Sequence, residues 1–185
     1  ASLGCGPVWE AINMAAMDQY TQLWDEAHKG GLPIIFNFFN NQYGMGGQTC
    51  GETMAYNILA RFGAGVNPDQ MHSERVDGFN PLAVIDAYKR KRAIIDERRG
   101  PVLLDVLTYR YSGHSPSDAS SYRTKEELAA WQEVDPLITY RAELVKAGVA
   151  SEDAFEAILE NVKKEMTEVV KLAVDPQVSP YMDLV

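Results

Sequence analysis

The chain has 185 residues, of which 46% are hydrophobic and 23% charged, the makeup of an ordinary globular protein with a real core. Its formal net charge of −9 excludes a general nucleic-acid binder, which needs a basic footprint, although amides and a metal in a local pocket can still hold an anion. Two cysteines without ligand-like spacing, Cys5 and Cys50, fit a reducing compartment, and no apolar run reaches the length of a membrane span.

Ala1 to Gly6 reads as the middle of a glycine-rich loop. Pro7 stands at a first helical position, where its missing N–H costs nothing. Val8, Trp9, Ile12, Ala16, Tyr20, Leu23, Trp24 and Ala27 recur at helical spacing and predict a helix as far as Gly30-Gly31. Pro33 to Phe39 is short and almost wholly apolar, which predicts a strand buried on both faces of a parallel sheet. Asn40 to Gly47 forms the loop at its carboxyl end. A weaker helix is expected from about Glu52 to Phe62 and a short strand from Ser73 to Val76. Asn80-Pro81 caps a helix that runs to about Arg98 and ends at Gly100. Pro101 to Tyr109 is the second strong strand. This alternation predicts an α/β fold, a doubly wound, mostly parallel sheet.

The last third is helical. Thr124 and Glu127 form a capping box, each side chain satisfying a backbone donor of the other residue. Asp135-Pro136 opens a further helix. A long one starts near Ser151, with Phe155, Ile158, Leu159, Val162, Met166, Val169, Val170 and Ala173 on one face, and stops before Asp175-Pro176. By pattern, the chain divides into a partial α/β part, residues 1–123, and a helical extension, residues 124–185.

In open α/β sheets ligands sit beyond the carboxyl ends of the strands. Two loops here qualify, Asn40 to Gly47 and Tyr111 to Ser121. In the first, Asn41 offers a neutral side-chain oxygen and the backbone near Tyr43 another, donors that magnesium accepts alongside phosphate oxygens and water. The alternative is a plain turn, for which Asn and Gly are common residues. In the second, His114 is suited to donate to a diphosphate oxygen or exchange a proton. Asp118 is placed to hold the imidazole or the loop backbone, and Arg110 and Arg123 to order the loop or pair with phosphate. The alternative is a surface loop that bonds to itself, although Gly113 suggests a close approach.

His28 beside Lys29 suits a helix end, and His72 falls in a loop before a strand. Lys89-Arg90-Lys91-Arg92 reads as a solvated helix face rather than a phosphate patch. Glu10 and Asn13 share one face of the first helix, as an interface or a local pair.

Taken in order, several segments resemble the alpha subunit of thiamine-diphosphate-dependent 2-oxo acid dehydrogenases, pyruvate dehydrogenase type, over essentially the whole chain. They are Glu10 to Ala16, Leu32 to Phe36, Asn40-Asn41-Gln42-Tyr43-Gly44-Met45-Gly46 and Arg75-Val76-Asp77-Gly78. The strongest is Gly100 through Tyr111 with Gly113-His114-Ser115, Ser117-Asp118 and Ser121 to Thr124, and Asp135-Pro136 continues the match. The resemblance implies a thiamine-diphosphate-binding fold with Mg2+ held by the Asn41 side chain and the Tyr43 carbonyl. Gly44, Met45, His114 and Ser115 join these two residues around the cofactor, with His114 as the residue near the reaction. Ser115 also matches a serine phosphorylated in some animal relatives.

The resemblance further implies a beta subunit in a heterotetramer of two alpha and two beta chains, with the beta chain supplying the carboxylate that activates the aminopyrimidine. A lipoyl-bearing acyltransferase takes the acyl group after decarboxylation. The compartment implied is the cytoplasm, or the mitochondrial matrix in a eukaryote. An acetoin dehydrogenase alpha subunit is the near alternative, and a non-catalytic assembly fragment the alternative of another class. Tyr43-Gly44-Met45-Gly46 speaks against the branched-chain type.

Two departures stand out. Ala1 falls on the third position of the family's Gly-Asp-Gly turn, so its metal-binding aspartate would precede residue 1, and the isolated chain is expected to bind magnesium thiamine diphosphate weakly or not at all. Met17 to Gly31 carries an insertion of about a dozen residues, within ordinary connection lengths.

Overall fold

In a computed structural model the described residues are 2–47 and 49–182; Ala1, with the turn position expected of it, lies outside them. The chain forms two compact units, Ala1–Pro136 and Leu137–Val185.

The first unit is built on a parallel sheet. Strand β3 (Val102–Leu107) lies between β1 (Ile35–Asn40) and β2 (His72–Asp77), with Asn40 and Asp77 both level with Leu107. The carboxyl ends of the strands therefore open on one side. The parallel sheet expected from the sequence is present, but only β3 is buried on both faces: Val102, Leu103, Leu104 and Asp105 have no exposed surface. β1 is an edge among the described strands and leaves Phe39 71% exposed, so its apolar run overstated its burial. His72 belongs to β2 rather than to a preceding loop, and its ring bonds the Arg99 carbonyl.

Residues alternate across the sheet and build a core on each face. On one side Leu103, Phe36 and Phe38 meet Ile12 and Ala16 at the end of helix α1 (Gly6–Ala15) and Phe62 of α2 (Ala60–Val66). On the other, Leu104, Val106, Ile35 and Val76 meet Ala83, Val84 and Ala87 of α3 (Pro81–Asp96).

The first helix is shorter than expected. α1 stops at Ala15, and Gln19–Leu23 forms a separate single π turn. Tyr20 is nevertheless buried, edge-on to Trp24, and its carbonyl accepts from Gly30 N and Gly31 N. The apolar spacing was real, but it serves an elbow closed by a glycine pair with positive φ. The expected helix over residues 52–62 is also displaced: turns and bends lead up to Ala60, and α2 begins there.

α3 starts where its cap predicts. Asn80 Oδ1 accepts from Leu82 N and Ala83 N, each at 3.1 Å. Its basic run is not a solvated face throughout. Lys91 is 8% exposed, with Nζ 3.2 Å from Glu74 on β2, and Arg90 makes a two-armed bond with the same carboxylate. The Arg90 hydrogen bonds, with Lys91 behind them, hold the Glu74 carboxyl at about 2. An amphipathic pattern hides such a lysine, because its long stem buries readily when the ammonium finds a partner.

The first unit also contains α4 (Lys125–Glu133), where Thr124 Oγ1 accepts from Glu127 N at 3.0 Å. α5 (Pro136–Lys146), in the second unit from Leu137 onward, turns through Gly148 into α6 (Glu152–Val174). Ser151 caps α6, and Arg141 pairs with Glu152 and Glu156 over the Phe155 ring. The expected apolar stripe of α6 is present, with Ile158, Val162, Met166 and Val169 all exposed. No described helix is long and apolar enough to cross a membrane.

Candidate functional site

β1 and β3 are parallel neighbours, so the two loops expected to carry chemistry leave the sheet side by side. They also touch: Arg110 Nη2 donates to the Gly44 carbonyl at 2.8 Å.

The first loop is a shaped turn. Asn41 Oδ1 accepts from Tyr43 N at 3.0 Å, and Gln42 between them adopts a left-handed φ of 63°. That conformation costs a non-glycine residue on the order of 1 kcal/mol. The Asn41 contact and the bond from Thr49 N to the Gln42 carbonyl at 2.8 Å hold it in place. The plain-turn reading and the ligand reading of Asn41 are therefore compatible, because an amide oxygen has two lone pairs.

Two cavities flank this turn. One of about 260 Å³ is lined by Asn37, Asn40, Asn41, Tyr43 and Tyr56 among others. The other, about 460 Å³, is lined by Asn41, Tyr43, Asn57, Tyr109, Glu127 and Trp131 among others. In the smaller one Asn37 Oδ1 and the Tyr56 hydroxyl are buried without a partner among the described residues. Burial also pushes the Tyr56 hydroxyl above its ordinary range, so it is a neutral donor. These two atoms offer one acceptor and one donor to a polar group entering that cavity.

The Tyr43 side chain, and not its carbonyl alone, is the hub of the site. Its hydroxyl donates to Glu127 Oε1 at 2.5 Å, and Tyr109 donates to the same oxygen at 3.2 Å. Burial first, with Glu127 adding to it against Arg123, keeps the Tyr109 hydroxyl protonated as that donor. The second half of the expected capping box is thus replaced by a contact to the strand-end loop. Arg123 lies within 5.6 Å of the ring centres of Tyr43, Tyr109 and Tyr122 and donates to the Arg110 and Ser112 carbonyls. Its role is to order the loop, by cation–π contact and backbone bonds. Tyr43→Phe is expected to lower the stability of the first unit by about 1–2 kcal/mol in urea denaturation. No measurable loss would mean that the Glu127 contact is idle.

In the second loop Asp118 holds the backbone, not the imidazole. It accepts from His114 N at 2.7 Å, Ser120 N at 2.8 Å and the Tyr122 hydroxyl at 2.7 Å. Those donors, His114 N foremost, hold its carboxyl at about 2, below its ordinary 3.8. Gly113 is required beside it, since a Cβ there would meet the Asp118 carbonyl at 2.7 Å. A depressed folded-state value means that this clamp stabilises above the ordinary carboxylate range and is lost as pH falls. The amides of His114 and Ser120 are expected to lose exchange protection as pH drops from about 4 to about 2. Protection unchanged down to the lower limit would remove Asp118 as the clamp.

The His114 ring is exposed, lines neither cavity, and meets Arg110 Nη1 through Nδ1 at 3.1 Å. Gly44 joins the site through its carbonyl, whereas Met45 is 74% exposed and Ser115 Oγ lies 3.1 Å from Ser117 Oγ. The other candidates stay outside it. His28 bonds Asp25, and Glu10 and Asn13 are exposed on α1.

The sequence pattern of the family described as Dehydrogenase E1 component matches residues 1–180. The chain is 34% identical over 177 residues to the probable pyruvate dehydrogenase E1 component subunit alpha, mitochondrial, of Caenorhabditis elegans, covering 95% of this chain and 40% of that one. It is 34% identical over 168 residues to the pyruvate dehydrogenase E1 component subunit alpha of Rickettsia conorii, covering 91% and 47%. The chain thus spans less than half the length of these relatives.

Proposed function

The chain belongs to the Dehydrogenase E1 component family, and from that premise we propose that it is part of the alpha subunit of a pyruvate dehydrogenase-type enzyme using thiamine diphosphate and Mg2+. The observation that carries the reading is the meeting of two strand-end loops, one bearing Asn41 and Tyr43, the other His114, through the bond from Arg110 to Gly44.

The donor set fits the metal. Asn41 and the Tyr43 carbonyl are hard neutral oxygens, and among the described residues no cluster of acidic, histidine or cysteine side chains could hold a metal by itself. Such a set suits a magnesium ion that shares its coordination with diphosphate oxygens. His114 would donate to the diphosphate, with Gly44, Met45 and Ser115 around it. When bound, thiamine diphosphate supplies the nucleophilic carbon and the electron sink for decarboxylation of a 2-oxo acid. The residues of this chain contribute anchoring: the Asn41 turn fixes two metal donors, Glu127 and Arg123 fix Tyr43, and Asp118 fixes the backbone of His114.

A beta subunit would complete the site, and a lipoyl-bearing acyltransferase would take the acyl group. The names of the relatives favour the pyruvate enzyme over the acetoin one. A non-catalytic scaffold would leave the shaped Asn41 turn unexplained. The compartment proposed is the mitochondrial matrix or the bacterial cytoplasm, in keeping with two free, exposed cysteines. The test is turnover by the full-length protein with its partner subunit on pyruvate, acetoin and branched 2-oxo acids. Pyruvate decarboxylation that depends on thiamine diphosphate is expected. Turnover of acetoin alone, or no dependence on the cofactor, would overturn the assignment.

A further inference from the structure

We propose that Arg110 is the positioning residue of His114: it fixes the tautomer of the imidazole and ties the ring to the Asn41–Gly44 turn. The argument starts from what a guanidinium can do. It carries five N–H donors, has no acceptor and keeps its charge. Its Nη1 lies 3.1 Å from His114 Nδ1, so Nδ1 must be the acceptor and the single proton of the neutral ring sits on Nε2. Among the described residues Nε2 has no partner.

In this tautomer His114 meets a ligand as an N–H donor at Nε2, toward an oxyanion or a carbonyl oxygen. The other arm of the guanidinium, on the Gly44 carbonyl at 2.8 Å, makes the ring's orientation depend on the turn that carries Asn41 and Tyr43. Asp118 complements this by holding the backbone N of His114 at 2.7 Å, so backbone and ring are fixed by different residues. The consequence for the cofactor rests on the function proposed above; the tautomer does not.

The experiment is NMR of the chain labelled with 15N-histidine, at a pH where the ring is neutral, with His114 assigned by His114→Gln. Free imidazole already leans toward the Nε2–H form, so the diagnostic is the Nδ1 resonance, which acceptance of a hydrogen bond moves upfield. The expected result is a proton on Nε2 and an upfield Nδ1 that returns to its free position in Arg110→Met, while the amides of His114 and Ser120 keep the shifts set by Asp118. Should Arg110→Met unfold the loop, the unaltered chain decides by itself: an Nδ1 upfield of its position in the urea-unfolded chain supports the assignment, and an Nδ1 at that position overturns it. A proton on Nδ1 in the unaltered chain, or an Nδ1 indifferent to Arg110→Met with the loop intact, also overturns it. Adding magnesium thiamine diphosphate to the full-length protein separates the two proposals. An Nε2 resonance that does not respond removes His114 from the cofactor site and leaves the tautomer assignment standing.

Discussion

Asn41→Ala in the full-length protein is expected to weaken binding of magnesium thiamine diphosphate by about 100-fold or more, about 3 kcal/mol. The loss is large because one side chain serves two donors. Its Oδ1 is the proposed metal ligand, and the same oxygen accepts from Tyr43 N at 3.0 Å. Alanine removes the first donor outright. It also frees Gln42, held at a φ of 63°, to relax toward ordinary backbone, which carries the Tyr43 carbonyl away from its place. Asn41→Asp separates the two contributions, because a carboxylate keeps the turn and an oxygen donor; it should retain most of the metal affinity. Calorimetry at fixed magnesium gives the affinity, and urea denaturation checks that the first unit stays within about 1 kcal/mol of its original stability. Full affinity in Asn41→Ala would take this residue out of the metal site and leave the turn as a structural feature only.

What could be read from the sequence was local. The Asn80 cap involves residues two or three apart and forms as expected, Thr124 forms its half of the capping box, and the last helix starts at Ser151 as its pattern predicts. β1 and β3 announce themselves by apolar runs, whereas β2 does not, and the position of Asn41 at the end of β1 follows directly. The relations that organise the site are not local. Glu127 reaches Tyr43 across 84 positions and Arg110 reaches Gly44 across 66, and nothing in either segment points to the other. By sequence the nearest partner of the Glu127 carboxylate is its own helix cap; in the fold, the hydroxyls of Tyr43 and Tyr109 hold it instead. Asp118 offered a choice between imidazole and backbone that residue types cannot resolve. The elbow after Ala15 failed for a related reason: Tyr20 and Trp24 are apolar at helical spacing whether or not the chain between them is a regular helix.

Asp105→Ala is expected to destabilise the first unit by about 3–5 kcal/mol, the cost of breaking a buried charged network by deleting one partner. Val-Leu-Leu-Asp-Val-Leu carries an acidic residue inside an apolar run, and an acidic side chain in a strand covered on both faces has to be satisfied by something. Its side chain has no exposed surface. Oδ1 accepts from Asn40 Nδ2 at 2.8 Å, and Oδ2 accepts from Leu59 N at 2.8 Å and Ala60 N at 3.3 Å, with Arg75 Nε 3.6 Å away. α2 has no side-chain cap of its own, so Asp105 is its N-terminal cap, supplied from the sheet. That explains why the helix begins at Ala60 and not near Glu52. Alanine would leave those donors without an acceptor, a loss comparable with a good part of a domain's stability. Asp105→Asn keeps the shape but must turn an N–H₂ toward either Asn40 or the helix end, so an intermediate loss is expected. Because Asn40 immediately precedes Asn41, the Asn variant, still folded at low temperature, should also bind the cofactor less tightly than the unaltered protein. A cost below about 1 kcal/mol for Asp105→Ala would mean that water replaces the carboxylate at the helix end. In that case the position of Asn41 would have to be set by its own turn alone.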